Sequence, residues 1–174
     1  EKFKNKADAD KALRAATGTA VVKNVNHKQK SEKAPALYDL TTLQRDANRI
    51  LGYTAQQTLD YVQSLYEKKL CTYPRTDSRY LTEDMADGVN AAVICAAGIC
   101  GVNAPSTVFA KQVCNNKKVS DHHAIIPTMA SGEADMSALP AGEREIMKLI
   151  ALQVLRSVSE AYRFCETVAE LSYG

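Results

Sequence analysis

Tyr73 and Arg75 stand two residues apart in the run Thr72-Tyr73-Pro74-Arg75-Thr76-Asp77-Ser78-Arg79-Tyr80. A phenol and a guanidinium so placed suit attack on a phosphodiester. The phenol supplies the nucleophile, and the guanidinium holds the phosphate oxygens and stabilises their developing charge. A phenol's ordinary pKa is about 10, so a neighbouring cation that favours phenolate helps the attack. Arginine is a permanent source of that charge. Pro74 fixes its own φ and pushes the residue before it toward an extended conformation. In an extended segment, residues i and i+2 project to the same side. Tyr73 and Arg75 are therefore expected to face one substrate together.

Two further segments belong with this one. Upstream lie Thr42-Leu43-Gln44, Ala47-Asn48, Gly52, Thr58-Leu59 and Leu65-Tyr66-Glu67. Downstream lies Asp121-His122-His123-Ala124-Ile125-Ile126-Pro127-Thr128. In this order the three segments resemble the catalytic-tyrosine region of the type IA DNA topoisomerases. Proline after the tyrosine, followed by R-T-D-S-R-Y-L, looks closest to the topoisomerase III branch. The resemblance covers roughly residues 36–158.

The resemblance implies a reaction and a cast. Tyr73 would attack single-stranded DNA, forming a 5′-phosphotyrosyl link and freeing a 3′-hydroxyl. The link conserves the energy of the broken bond, so resealing needs no ATP. His122 carries over as a histidine near the scissile phosphate, and a histidine's charge can change near neutral pH. His123 either contacts DNA or packs beside Ile125 and Ile126. Thr76, Ser78 and Arg79 either contact neighbouring phosphates, which positions DNA without reading sequence, or hold the segment structurally. Asp77 could instead pair with Arg75 or Arg79. Magnesium is implied for the full enzyme, held by an acidic Toprim domain outside this chain. Asp8-Ala9-Asp10 is the one D-x-D here, and Lys11-Ala12 stand where a third acid is needed. No metal site is expected, and the chain alone is expected to be inactive. The implied partners are single-stranded DNA, the Toprim and arch domains of the same enzyme and a helicase; the implied setting is the bacterial cytoplasm, at the nucleoid.

Composition is compatible with this and excludes other classes. The 174 residues are 45% hydrophobic with net charge +2, which allows one domain with a real core. Nine basic against four acidic residues fall in 1–33, and four against seven in 133–174. A basic start suits a phosphate-facing or simply solvated surface. No apolar stretch reaches the ~18 residues that span a bilayer, and no signal peptide is evident. Five cysteines without a C-x-x-C pair read as free thiols, and His27, His122 and His123 complete no zinc set. Cys71 reads as a small buried residue. The chain lacks an initiator methionine and ends in strand-like sequence, so it reads as a piece of a larger enzyme.

The elements that must position these groups follow from periodicity and turn chemistry. A short helix over 7–16 is stopped by Thr17-Gly18, and a strand covers 19–27. Residues 28–36 read as a polar connection. A helix capped by Thr41 or Thr42 runs to Leu51, with Leu43, Ala47 and Ile50 inward, and ends at Gly52. Thr54 caps a second, with Leu59, Val62 and Leu65–Tyr66 apolar, stopping near Lys68–Lys69. The pair forms a helix-turn-helix-like unit. Thr82 starts a helix to about Ala97, broken by Gly98 and Gly101. Residues 102–120 carry little signal, Val108–Val113 reading as a short strand or helical turn. Residues 121–128 read as an extended loop and 131–140 as a polar loop. The clearest helix is 142–158, with Ile146, Leu149, Ile150, Val154 and Leu155 buried. Residues 164–172 alternate as a strand.

The fold class is therefore mainly α (α+β): a helical domain, 37–158, bracketed by antiparallel strands within 1–36 and 159–174. The resemblance makes those strands stubs of a neighbouring β-rich arch domain. Two other readings stay open. A recombinase-like tyrosine transferase spreads several arginines along its chain and links through a 3′-phosphate. A non-catalytic helix-turn-helix module would bind duplex DNA without needing Tyr73.

Overall fold

The computed structural model describes residues 3–15 and 18–173, which fall into two units. One comprises the chain ends. Helix α1, Lys6–Ala15, buries none of its residues, and Leu13 is 74% exposed. The apolar side expected of Ala9, Ala12 and Leu13 therefore has no core to meet, and Ala16 and Thr17 lie outside the described residues. Strands β1, Ala20–Glu32, and β2, Tyr162–Tyr173, pair antiparallel from Ala20↔Tyr173 to Glu32↔Tyr162, with an irregularity between Val22 and Asn24. The pairing of the end strands is thus as expected, but β1 continues through residues 28–32, which read as a connection. Lys28, Lys30 and Glu32 are compatible with a strand because the ribbon is exposed on both faces, so no buried face demands alternation. Lys30 pairs with Glu166 across it, and His27 Nδ1 lies 2.9 Å from Thr167 Oγ1.

The second unit is Lys33–Ala161. Its helices are α2, Leu40–Leu51; α3, Ala55–Glu67; α4, Val89–Cys100; the single turn α5, Ala130–Glu133; and α6, Ala141–Ser157. Helix α6 is the axis of the unit. One side buries Ile146, Met147 and Ile150 with Leu43 and Ala47 of α2 and Val62 and Leu65 of α3. The other buries Ala151 and Val154 with Val89, Val93 and Ala96 of α4. Among the described residues, no helix is long and apolar enough to cross a membrane.

Helix boundaries reflect local chemistry. Asp39, not Thr41 or Thr42, is the cap of α2: its carboxylate accepts from the Thr42 N–H at 2.6 Å. Thr42 returns the bond to the Asp39 N–H at 3.2 Å, so it acts as the reciprocal member of a capping box. At the other end Gly52 takes φ +75, a left-handed cap that glycine adopts without strain. Ile50, expected inside, is 52% exposed, and Leu51 packs on the core in its place. Thr54 caps α3 with Gln57 as partner, as expected. Tyr66, placed with its apolar face, is 38% exposed.

Thr82 opens a 3₁₀ turn, Glu83–Gly88, and the α-helix proper begins at Val89. Gly98 does not break it; Gly101, at φ +67, does. A helical glycine costs only about 1 kcal/mol relative to alanine, whereas the cap needs a positive φ. Residues 110–112 form a 3₁₀ turn, and the polar loop 131–140 contains α5 and a 3₁₀ turn at Met136–Ala138. Helices α3 and α6 approach closely at Gly142, where an added Cβ would fall 2.4 Å from the Tyr61 ring. The buried Glu143 accepts from Ser64 Oγ at 2.9 Å and pairs with Lys68, tying the same two helices.

A buried hydroxyl also reports on pH. Tyr38 donates to Asp46 Oδ2 at 2.7 Å, and Arg49 pairs with Asp46 Oδ1 at 3.0 Å. Burial opposes the charge on Asp46, but the Tyr38 bond and Arg49 together outweigh it and hold the carboxyl below its ordinary range. A depressed folded pKa stabilises the fold above the unfolded value, about 4, and that contribution is lost as pH falls through the folded value. Asp46→Asn is therefore expected to flatten the acid limb of a thermal-stability profile while reducing stability near neutrality. An unchanged acid limb would contradict the assignment.

Candidate active site

Three extended segments meet beside α3 and α6 without forming long strands. Residues 71–72 run antiparallel to 126–127: Thr72 N donates to Ile126 O at 3.0 Å, and Cys71 bridges Pro127. The Thr72 hydroxyl donates to Ala124 O and accepts from Ile126 N, both at 3.0 Å. Ile125 N donates to Tyr38 O at 2.9 Å, Ala124 N to Tyr80 O at 2.9 Å, and Leu40 N to Thr76 O at 3.2 Å. Ile125 is buried on one side of the core and Ile126 on the other. The chain reaches this place through Lys69, a non-glycine residue at φ +62 that reverses direction after α3. The apolar Ile125-Ile126-Pro127 run thus anchors the segment that carries the histidines.

Burial then alternates along the tyrosine segment. Pro74, Thr76 and Ser78 are buried, Tyr73 is half-buried, and Arg75 and Asp77 are exposed. That is the period of an extended chain with one face inward, as the proline implies. The Tyr73 ring lies 4.4 Å from the His122 ring, centroid to centroid, and 5.3 Å from Tyr66 in an edge-to-face contact. His122 is exposed. The structure therefore brings together Tyr73 and His122, 49 positions apart, and puts Arg75 on the open side of the same segment.

The polar side chains of the segment divide by whether they are already bonded. Thr76 Oγ1 donates to His122 O at 2.8 Å and accepts from Ser78 N at 3.0 Å. Ser78 Oγ donates to Lys118 O at 2.9 Å. Arg79 Nε donates to Leu37 O at 3.0 Å, with a longer contact to Ala36 O at 3.5 Å. Asp77 accepts from Ser120 Oγ at 2.7 Å and forms no ion pair with Arg75 or Arg79, a correction to the expected pairing. His123 Nδ1 lies 2.8 Å from Ala124 O. Tyr80, half-buried, carries Lys118 Nζ 4.5 Å above its ring and 3.1 Å from its hydroxyl. Among the described residues, the Tyr73 hydroxyl, the Arg75 guanidinium and the His122 imidazole make no hydrogen bond or ion pair. Thr76, Ser78 and Arg79, open to either phosphate contact or a structural role, are engaged with main chain, the first two with their side chains buried.

Reading the sequence missed Tyr66 as the ring beside Tyr73 and Lys118 as the cation over Tyr80. Tyr66 sits on α3 and Lys118 in the aperiodic stretch 102–120, so neither carries a spacing signal toward the site. Arg45 is exposed and Arg49 is spent on Asp46. Among the described residues no group of three His, Cys, Asp or Glu could hold a metal ion. Cys71 is buried, and burial pushes its thiol up to about 12. Alkylation at neutral pH is expected to modify the exposed Cys165 first and Cys71 last, read by mass mapping. Early labelling of Cys71 would show that the segment before Tyr73 opens.

The same chain is related along its whole length to known proteins. The family pattern described as DNA topoisomerase matches residues 1–174. The chain is 43% identical over 164 residues to DNA topoisomerase 3 of Bacillus cereus (strain ATCC 10987 / NRS 248), covering 89% of this chain and 22% of that protein. It is 40% identical over 162 residues to DNA topoisomerase 3 of Bacillus subtilis (strain 168), covering 87% and 22%. Its fold is similar to that of full-length topoisomerase I from Thermotoga maritima, with TM-score 0.68 at 24% identity over 94% of this chain and 27% of that one. The chain belongs to the DNA topoisomerase family. Its similarity is to the type IA, topoisomerase III-like members, and it spans about a fifth of the length of the curated relatives it matches.

Proposed function

We propose that this chain is the tyrosine-bearing part of a type IA topoisomerase that cuts and rejoins one DNA strand. The observation that carries the reading is the sorting of the site. Among the described residues its phenol, guanidinium and imidazole are uncommitted, while the polar groups around them are bonded to the fold. The Tyr73 oxygen attacks phosphorus, loses its proton and forms a 5′-phosphotyrosyl bond. The P–O3′ bond breaks, and the leaving oxygen takes a proton to become a 3′-hydroxyl. The reverse displacement reseals the strand with the same bond count, so ATP is not consumed. Arg75 and His122 hold the non-bridging oxygens as charge builds on them.

Magnesium, when bound, supplies charge compensation for the DNA phosphates; among the described residues this chain offers no cluster for it, and an acidic domain elsewhere in the full-length protein is the proposed holder. The same reading makes the β1–β2 ribbon part of a neighbouring β-rich domain and the protein a cytoplasmic, nucleoid-associated one with a helicase as working partner. Plasmid relaxation tests it. The full-length protein should relax negatively supercoiled DNA with magnesium and without ATP, while residues 1–174 alone should not. Relaxation by the isolated chain, or an ATP requirement, would contradict the proposal.

A further inference from the structure

The loop that carries His122 is held by side chains rather than by its own backbone. Among the described residues, positions 120–123 make no main-chain to main-chain hydrogen bond, and 120–122 are exposed. Two bonds fasten this loop to the tyrosine segment. The buried Thr76 hydroxyl donates to the main-chain carbonyl of His122 itself, at 2.8 Å. The exposed Asp77 carboxylate accepts from Ser120 Oγ at 2.7 Å. Thr76 also accepts from Ser78 N, so its hydroxyl is satisfied in both directions and has a fixed orientation. Its side chain, 8% exposed, faces inward while Tyr73, Arg75 and His122 lie on the open side.

We propose that Thr76 is a positioning residue for the cleavage step. It holds His122 against Tyr73 and does not contact a DNA phosphate. This rests on the proposed strand-cleaving function. The hydroxyl lies three residues after the nucleophile and bonds the peptide unit of the histidine, so it registers His122 itself against the tyrosine segment, beside the Thr72 bonds to Ala124 and Ile126. Ser120 supports the same loop from its exposed side. A misplacement of about 1 Å at a reacting group can cost about a hundredfold in rate. Loss of a single hydrogen bond that leaves the loop otherwise attached is expected to cost about tenfold.

The test measures single-turnover cleavage of a labelled single-stranded oligonucleotide by the full-length protein, with magnesium, beside oligonucleotide binding. Thr76→Val keeps shape and removes the hydroxyl. It should slow cleavage about tenfold and change affinity less than about twofold, while Thr76→Ser retains most of the rate. In a His122→Ala background, Thr76→Val should change the remaining rate less than about twofold, because its effect passes through His122. Ser120→Ala, at an exposed position, should slow cleavage by about two- to threefold and likewise lose its effect without His122. Equal effects of Thr76→Val with and without His122 would overturn the inference, as would a loss confined to affinity. Should Thr76→Val fail to fold, Thr76→Ser and Ser120→Ala decide: a rate collapse in the first, or no His122 dependence in the second, overturns it. If wild type forms the covalent adduct and these couplings are absent, only this inference fails. If wild type forms none, the functional reading fails with it.

Discussion

Replacing Tyr73 by phenylalanine in the full-length protein is expected to remove the covalent protein–DNA adduct and lower relaxation at least about 10⁴-fold, because loss of a nucleophile leaves only binding and charge stabilisation. The substitution deletes one oxygen. The ring contacts with Tyr66 and His122, at 5.3 and 4.4 Å, are made by carbon framework that phenylalanine keeps. Among the described residues the hydroxyl bonds nothing, so its removal leaves no buried partner unsatisfied. Stability and single-strand affinity should therefore stay near wild type. Gel analysis after denaturing quench, together with thermal unfolding, checks both halves. A phenylalanine variant that still forms adduct would move the nucleophile elsewhere.

Arg75→Ala is the second large effect. An exposed guanidinium that makes no ion pair among the described residues costs the fold little to remove. Its loss should nonetheless slow cleavage about 10²- to 10³-fold, the usual scale for removing one donor to a developing oxyanion. Arg75→Lys should recover only part of this, since an ammonium keeps the charge but not the planar fork that fits two phosphate oxygens. Single-turnover rates at saturating oligonucleotide separate this from weaker binding. A rate within about threefold of wild type at saturation would reduce Arg75 to a binding contact, in contrast with a donor role.

The contrast with Arg79 explains what sequence could and could not reveal. Both arginines lie in the same run, both follow the tyrosine, and residue type alone recommends both for phosphate. Only tertiary structure spends Arg79 on the Leu37 carbonyl and leaves Arg75 open. Thr76 and Ser78 are the same case. Residue type recommended them for phosphate, but the structure buries both on the inward face of the extended segment. By contrast, the Tyr73–Arg75 pairing of faces was legible because proline and period two fix it locally. His122 was legible through its motif, although only packing of Ile125 and Ile126 against opposite sides of α6 brings it to Tyr73.

The fold divides along the same line. Helices α3 and α6 were read nearly to their ends, α3 because of its Thr54 cap and α6 because of its long apolar stripe. The start of α2 was misread by two or three residues because Thr42 is a capping-box partner that resembles a cap in sequence. The far half of β1 was missed because an exposed ribbon has no inward face to write into the sequence. Glycines misled at α4: Gly98 and Gly101 look alike in sequence, yet only Gly101 adopts the positive φ that ends a helix.

Covalent trapping with a polarity-marked strand tests the central claim most directly. The full-length protein is mixed with magnesium and a single-stranded oligonucleotide labelled in turn at each end, then quenched with detergent. The account predicts an adduct that keeps the 3′-end label and releases the 5′-labelled piece with a free 3′-hydroxyl, mapping by mass to Tyr73. An adduct of opposite polarity, or one mapping to another residue, would contradict it.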